Sequence, residues 1–406
     1  MFAGSPERQI VHLDLDTFFV SVERLHNRNL AGKPVLVGGS GSRGVVASCS
    51  YEARAFGIHS AMPMKTARQL CPQAIVVRGD HEQYSRFSNE ITDIIKDAVP
   101  VYEKSSIDEF YIDLTGMDTF FGSYKLASEL RTRIIKTTGL PISFALSSNK
   151  TVSKVGTGEA KPNGQKEIRA GDEKRFLAPL SVKKIPMVGD KTYHLLRSMG
   201  IEKVKTVQEM PVQLMEQVLG ENGIVIWKKA NGIDNSPVEP YSERKSISAE
   251  CTFDKDTIDV PYLKSVLISM VEKLAFQLRD EEKLTSCLTI KIRYSDFNTY
   301  TMQASLPYTA IDKVLIERAR ELFDRLYQKR MLIRLIGIRF SQLVHGNYQI
   351  GLFDTSVEEL QLYQAMDKLR KRFGRDAVQR AGGIGVNLRD FNPFNGIRTG
   401  APSGQK

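Results

Sequence analysis

The chain has 406 residues and a formal net charge of +10, with 57 Lys and Arg against 47 Asp and Glu, a balance that favours a polyanionic partner. Mean hydropathy is −0.26 and no uninterrupted apolar stretch reaches membrane length, which argues against a membrane-spanning protein. The length exceeds one compact core and implies roughly two to four modules, while Cys49, Cys71, Cys251 and Cys287 form no CxxC pair and give neither a zinc site nor a disulfide framework.

Residues 1–8 lack the apolar core of a signal peptide, so a cytoplasmic protein is expected. Gln9–Asp16 then reads as an apolar strand that ends in acids, followed by a helix over 16–30 whose Phe18, Phe19, Val22 and Leu25 recur at helical spacing. A small unit spans 34–79, with strands Pro34–Val37 and Val45–Ser50 and helices around Tyr51–Phe56 and Met64–Leu70. Its glycine-rich stretch Gly38–Gly44 is not followed by Gly-Lys-Ser/Thr, so it reads as a hairpin turn and not a phosphate loop.

Across 80–165, helical patterns at Tyr84–Asp97 and Tyr124–Thr138 flank a strand pair within Val101–Leu114, and Pro141–Ser147 closes the set. With the first strand this predicts a mixed sheet covered by two helices, a split βαβ arrangement. Inside the strand pair, Ser106-Ile107-Asp108-Glu109 places adjacent carboxylates in an apolar run, where unpaired acids are costly. Neighbours on a regular strand face opposite ways, so these two acids share a ligand only if the chain turns tightly at Ser105–Glu109. Together with Asp14 they would form a carboxylate cluster suited to hard cations. On the residues alone, acids that merely cap or end surface strands are the reading each site by itself favours.

Residues 172–235 look mostly helical. Ile185–Asp190, a helix through Leu196 and Met199-Gly-Ile201 suggest a helix-hairpin-helix, in which Val188 and Gly189 would offer amides to a DNA phosphate. Met187 stands where that pattern normally has a glycine, so a plain αα-hairpin stays open. A Pro-rich polar linker follows. Four strands (Ser248–Phe253, Ser286–Tyr294, Tyr300–Leu306, Leu332–Leu343) and two helices (Val260–Arg279, Ile311–Leu326) then predict an α+β module. Lys291, Arg293, Arg334 and Arg339 are expected on one sheet face, set to neutralise phosphates or simply solvated. The tail carries Gln349-Ile-Gly-Leu-Phe353, a basic amphipathic helix Val357–Phe373 with Lys368, Arg370, Lys371 and Arg372, and a Gly/Asn/Pro-rich end expected to be disordered.

Asp14-Leu-Asp-Thr-Phe-Phe19, Ser50-Tyr-Glu-Ala-Arg54, Ser106-Ile-Asp-Glu-Phe110 and Ala160-Lys-Pro-Asn-Gly164 occur in this order. In that order and spacing they resemble the Y-family of translesion DNA polymerases, and within it the bacterial DNA polymerase IV type. The resemblance implies a multidomain α+β, right-hand polymerase. Its parts would be a palm (1–33 and 80–170), small fingers (34–79), a helical thumb (171–235), a linker (236–246), a little finger (247–348), and a clamp-binding peptide with a basic tail (349–406).

It further implies template-directed addition of deoxyribonucleotides to a primer 3′-end, past damaged bases and with low fidelity; no segment remains for a proofreading exonuclease. Two Mg²⁺ ions, replaceable by Mn²⁺, would sit about 3.5–4 Å apart. By resemblance Asp14 and Asp108 bridge them, Glu109 serves the 3′-hydroxyl side, and the Leu15 carbonyl completes the nucleotide-side ion. Tyr51, Arg54, Lys161 and the amides of Thr17, Phe18 and Phe19 would receive the triphosphate. Phe19 matches the family's steric gate against ribose, its alternative being an ordinary core aromatic. Val45, Ala47 and Ala61 match small positions over the nascent base pair. Gln349, Leu352 and Phe353 resemble the peptide that docks onto the beta sliding clamp. The implied partners are primer–template DNA, dNTPs and the clamp, with no membrane, for a monomer. A non-catalytic bridging paralogue is disfavoured by the three acids, and a two-metal cyclase or nuclease by Tyr51, Arg54, Lys161 and the downstream modules.

Overall fold

The apolar run Ile10–Leu15 forms β1, the middle strand of a five-stranded sheet, in a computed structural model that describes residues 7–39, 41, 43–117, 122–240, 243–346, 356–374 and 377–383. The described residues fall into two compact units, one ending at 240 and one beginning at 243. In chain order the first unit continues with β2 (Val35–Gly38), β3 (Val46–Cys49), β4 (Ile75–Val77), β5 (Tyr102–Lys104), β6 (Glu109–Asp113), β7 (Ile142–Ser147) and β8 (Gln165–Glu167). The large sheet runs β5-β6-β1-β7-β8 and a small one runs β3-β2-β4. Only β7–β8 and β2–β4 pair in parallel within these two sheets.

The two-residue period sorts the large sheet into an apolar and a polar face. Val11, Leu13 and Leu15 of β1, with Phe110, Ile112, Phe144 and Leu146, join a core closed by helices His81–Ala98 and Ser123–Thr138. His12, Asp14, Glu109, Tyr111, Ser143 and Ala145 occupy the alternate positions.

Helix Lys150–Ala160 covers part of that polar face: Ser153 Oγ donates to the Ile10 carbonyl (2.7 Å) and Thr157 Oγ1 to the His12 carbonyl (2.8 Å). This helix is absent from the sequence expectation. Its Thr, Val and Gly residues are weak helix formers, and packing supplies what propensity lacks. Asn149 caps it by accepting from the Val152 amide (3.0 Å), and Gly156 lies so close to the sheet that a Cβ there would be 2.8 Å from Cβ of Ala145. The three-residue strands β4 and β8 also escape the pattern reading.

The rest of the first unit is helical: Glu173–Leu177, Asp190–Ser198, Val204–Glu209, Val212–Leu219 and Glu221–Ala230 enclose Leu196, Val207, Met215 and Ile226. The second unit has β9 (Ser246–Thr257), β10 (Lys283–Tyr294), β11 (Thr299–Thr309) and β12 (Ile333–His345), antiparallel in the order β11-β10-β12-β9. Helices Val260–Asp280 and Asp312–Leu326 pack on one face, against Leu288, Ile290, Ile292, Ile336, Ile338 and Phe340.

The other face carries Lys291, Arg293 and Arg339, since Thr289 pairs Arg339 and Lys291 and Arg293 follow at two-residue steps. Arg334 does not join them. It stands five residues from Arg339, an odd step that places the two on opposite faces of a regular strand, and its guanidinium lies 4.4 Å from the Phe297 ring centroid.

Helix Ser356–Phe373 belongs to this unit through buried charges. Arg279 donates to Asp312 (2.6 Å) and, through two nitrogens, to Asp367 (2.6 and 3.0 Å), while Arg370 faces Glu272 at 3.5 Å. The expected basic helix thus turns Arg370 inward, because its acidic partner Glu272 stands on a helix distant in sequence. Gln349, Leu352 and Phe353, and the Gly/Asn/Pro-rich end, lie outside the described residues.

Candidate active site

The turn ahead of β6 is built by one hydroxyl. Ser106 Oγ donates to Asp108 Oδ1 (2.6 Å) and accepts from the amides of Asp108 (3.3 Å) and Glu109 (3.0 Å). The Ser105 and Ser106 amides both donate to the Glu109 carbonyl (3.0 and 3.3 Å). This is the tight turn that convergence of the two acids requires. Glu109 then stands directly opposite Asp14 in the β1–β6 ladder, and directly opposed residues share a sheet face. The Leu15 amide donates to the Asp108 carbonyl (3.0 Å), which fixes the third acid at the same strand end.

Burial sets the electrostatics. It pushes the Asp14 carboxyl up to about 7, against the attraction of Lys161 and aided by the charges of Asp108 and Glu109. Burial also raises Asp108, opposed by its Ser106 hydrogen bond. At Glu109 burial is outweighed by the His12 imidazole (3.8 Å) and the Lys154 ammonium (2.5 Å), which hold the carboxyl down to about 2. Burial drives His12 below the ordinary imidazole value.

Among the described residues, no group of three or more His, Cys, Asp or Glu side chains is arranged to hold an ion as it stands. The reason is visible in the pairings: Lys161 takes Asp14, Ser106 takes Asp108, and Lys154 takes Glu109. The donor set itself, three carboxylates at one strand end with Asp14 raised first by burial and further by the charges of Asp108 and Glu109, has the hard-oxygen chemistry of a divalent-cation site.

Around the acids lie the expected phosphate donors. Tyr51 and Arg54 share the one-turn helix Tyr51–Arg54, capped by Ser50, whose side chain accepts from the Ala53 amide; the Arg54 guanidinium sits 5.0 Å from the Tyr51 ring centroid. Lys161 follows helix Lys150–Ala160 in extended backbone (φ −66°, ψ 144°) and binds Asp14. Thr17, at φ +43°, leads into helix Phe18–His26, whose N-terminus has no side-chain cap, the kind of helix end that suits an anion.

Phe18 takes the core position, 2% exposed, and leaves Phe19 half-buried. Phe19 stacks on Tyr84, with ring centroids 4.3 Å apart and planes 12° from parallel. On the small sheet, Val45 and Ala47 flank Val46, whose carbonyl accepts from the Ala61 amide (2.8 Å), so the three small residues are neighbours.

The hairpin at 185–190 is different from expectation. The Val188 amide donates to the Ile185 carbonyl (3.1 Å) and the Gly189 amide to the Met187 carbonyl (3.2 Å), so both are engaged inside the turn instead of facing a phosphate. Met187 itself holds φ +80° and is 56% exposed, a left-handed position that glycine fills without strain.

Three residues of the site escaped the sequence reading. Asp16, 1% exposed, accepts from Ser143 Oγ at both oxygens (3.1 and 2.9 Å) and from the Asn163 amide (2.5 Å). Its two-residue spacing from Asp14 was the available signal. Lys154 stands seven residues before Lys161, two helical turns, a relation that shows only once the helix is known. His12 carried no signal beyond its alternation with Asp14.

Residues 13–158 match the impB/mucB/samB family and residues 244–352 match the impB/mucB/samB family C-terminal domain. A DNA polymerase IV of Dehalococcoides mccartyi is 39% identical over 376 residues, covering 92% of this chain and 96% of that protein. One from Streptococcus pyogenes is 37% identical, covering 83% and 94%. Among solved structures, a Y-family DNA polymerase chimera of Dbh and Dpo4 aligns with a TM-score of 0.74 at 26% identity, over 83% of this chain and all of that one. An insertion ternary complex of Dbh DNA polymerase aligns with a TM-score of 0.62 at 26% identity, over the same shares.

Proposed function

The chain belongs to the impB/mucB/samB family of Y-family DNA polymerases, of the DNA polymerase IV type, and we propose from that premise how its residues extend a primer. It is a DNA-directed DNA polymerase of translesion synthesis and DNA repair, with the multidomain α+β architecture of its family.

The observation that carries the mechanism is the pairing of Asp14 with Glu109 on one sheet face, with Asp108 held at the turn beside them. Two divalent cations, Mg²⁺ or in its place Mn²⁺, would supply activation of the primer 3′-hydroxyl and charge balance for the triphosphate. Asp14 and Asp108 would hold both, Glu109 the hydroxyl side, and the Leu15 carbonyl the nucleotide side. Lys161, held beside Asp14, is positioned to exchange that carboxylate for a phosphate oxygen. Tyr51 and Arg54 bind the same triphosphate, and the amides of Thr17, Phe18 and Phe19 add donors at the positive end of a helix. Phe19, backed by Tyr84, leaves no room for a 2′-hydroxyl. Val45, Ala47 and Ala61 leave space over the base pair, which admits distorted templates and lowers fidelity.

In this reading the large sheet with its helices is the palm (1–33 and 80–170), the small sheet is the fingers (34–79), the helical set is the thumb (171–235), and 247–348 is the little finger after a linker at 236–246. Lys291, Arg293 and Arg339 supply its electrostatic grip on primer–template DNA. Gln349, Leu352 and Phe353 dock onto the sliding clamp. The enzyme acts as a monomer in the cytoplasm and carries no proofreading exonuclease. No helix among the described residues is long and apolar enough to cross a membrane.

The test is primer extension on paired damaged and undamaged templates with each dNTP. Product past the lesion, with a mispaired primer end left uncut in the absence of dNTPs, supports the reading; an arrest at every lesion, or excision of the primer end, contradicts it.

A further inference from the structure

We propose that Asp16 is a positioning residue for the incoming nucleotide: one buried carboxylate that sets the Tyr51 hydroxyl and the Lys161–Gly164 loop at fixed spacing. The proposal rests on the reading of Tyr51 and Lys161 as triphosphate donors.

The two donors come from separate pieces of chain. Tyr51 opens a four-residue helix beside the small sheet, and Lys161 ends a helix on the large one. Neither helix aligns the other, yet two groups that grip one triphosphate must keep their separation. Asp16 is the group that touches both. The Tyr51 hydroxyl approaches Asp16 Oδ1 at 3.5 Å, the Asn163 amide donates to Oδ2 at 2.5 Å, and the Lys161 ammonium lies 3.9 Å from Oδ1. Ser143 Oγ, from β7, bridges both oxygens at 3.1 and 2.9 Å, and also accepts from the Gly164 amide at 3.1 Å.

Asp16's own backbone is fixed on both sides. Its amide donates to the Pro141 carbonyl (2.9 Å), and its carbonyl accepts from Ser21 Oγ (2.7 Å). A carboxylate 1% exposed would be expelled from such a site unless its lone pairs were met, and here they are met by donors from three segments. The same occupancy separates it from Asp14. Both lie on one strand-end parity, but Asp16's oxygens are committed to Ser143, Asn163 and Tyr51, so it braces the site and does not ligate. Its negative charge also acts on Tyr51: burial first, then Asp16, pushes that phenol far above its ordinary value, which keeps the hydroxyl protonated as a donor for a phosphate oxygen.

Asp16→Asn keeps the size and replaces one acceptor oxygen by an NH₂ that cannot accept from Ser143 or Asn163. Steady-state incorporation by the full-length enzyme should show the dNTP KM raised about tenfold or more with kcat changed much less, since small misplacement of a gripping group costs on that order. The Mg²⁺ concentration for half-maximal activity should stay where it is. Ser143→Ala should shift KM the same way by a smaller factor, and serves where Asp16→Asn folds poorly. In a double-mutant cycle, Tyr51→Phe should raise KM less in the Asp16→Asn background than alone.

A collapse of kcat, or a displaced Mg²⁺ requirement, would make Asp16 a ligand and overturn the proposal. Parallel losses in kcat and thermal stability with KM unchanged would overturn it as a merely structural acid. Should Tyr51→Phe and Lys161→Ala leave the dNTP KM unchanged, it is the nucleotide-site reading that fails; should those two raise KM while Asp16→Asn and Ser143→Ala do not, the proposal alone fails.

Discussion

Phe19 lies flat against Tyr84, centroids 4.3 Å apart, and the Tyr84 hydroxyl is itself tied to Glu23 at 2.5 Å. The ring under the proposed sugar site is therefore backed by a second ring that cannot move aside. His81 closes the edge of Phe19 at 5.7 Å.

Phe19→Ala should admit ribonucleotides that the parent enzyme rejects. Steric discrimination of this kind gives a change on the order of a hundredfold or more in the rNTP-to-dNTP ratio of kcat/KM. Single-nucleotide incorporation measures it, and an unchanged ratio would place the gate elsewhere.

Gly156→Ala should destabilise the protein by roughly 1–3 kcal/mol, the usual cost of overpacking. The added Cβ would meet Ala145 Cβ at 2.8 Å and Ile168 Cδ1 at 2.7 Å, and the first of these cannot rotate away. Gly158 is the control: nothing lies within 4 Å of a Cβ there, so Gly158→Ala should stabilise the same helix by about 0.5–1 kcal/mol. Thermal melts of the two variants should move in opposite directions.

These two glycines also show where the sequence stops being legible. Long elements with clean periodicity, such as helix His81–Ala98 and strand β10, are plain from pattern alone. So is the need for a turn before Glu109, because adjacent carboxylates cannot converge on a straight strand. Helix Lys150–Ala160 is illegible because its stability comes from tertiary approach at Gly156, which local propensity does not encode. Asp16 and Lys154 stay hidden for a related reason. Their partners, Ser143, Asn163 and Glu109, are distant in sequence, and only the register of β1 with β6 and β7 brings them near. Arg334 fails for a different reason: it stands five residues from Arg339, an odd step that strand alternation itself sends to the opposite face.

Asp234→Asn should lower stability at neutral pH and flatten its acid dependence. Burial would raise the Asp234 carboxyl, but hydrogen bonds from Ser236 and Thr151 and the Lys229 charge hold it down to about 2. A carboxyl depressed in the folded state adds stability above its unfolded value, about 3.9, and that contribution is lost as pH falls toward the folded one. Denaturant midpoints measured between about pH 5 and 2 should therefore fall more steeply in the parent than in the variant. Equal slopes would show that Asp234 carries no such linkage.

Leu352→Ala with Phe353→Ala should bring the ratio of primer extension with and without sliding clamp down to about one. The anchors of such a peptide enter an apolar groove on the partner, and alanine leaves nothing to fill it. Full clamp stimulation of the double variant would remove the docking assignment.

Single-turnover extension of a bound primer by Glu109→Ala and Asp108→Ala in Mg²⁺ tests most directly whether Asp14, Asp108 and Glu109 form the reacting centre. Each substitution should lower the rate on the order of a thousandfold or more, since both acids are assigned to the ions that activate the reaction. Affinity for primer–template should stay close to the parent's, because phosphate neutralisation by basic side chains supplies it. Parent-like rates from either variant, with DNA binding intact, would contradict the account.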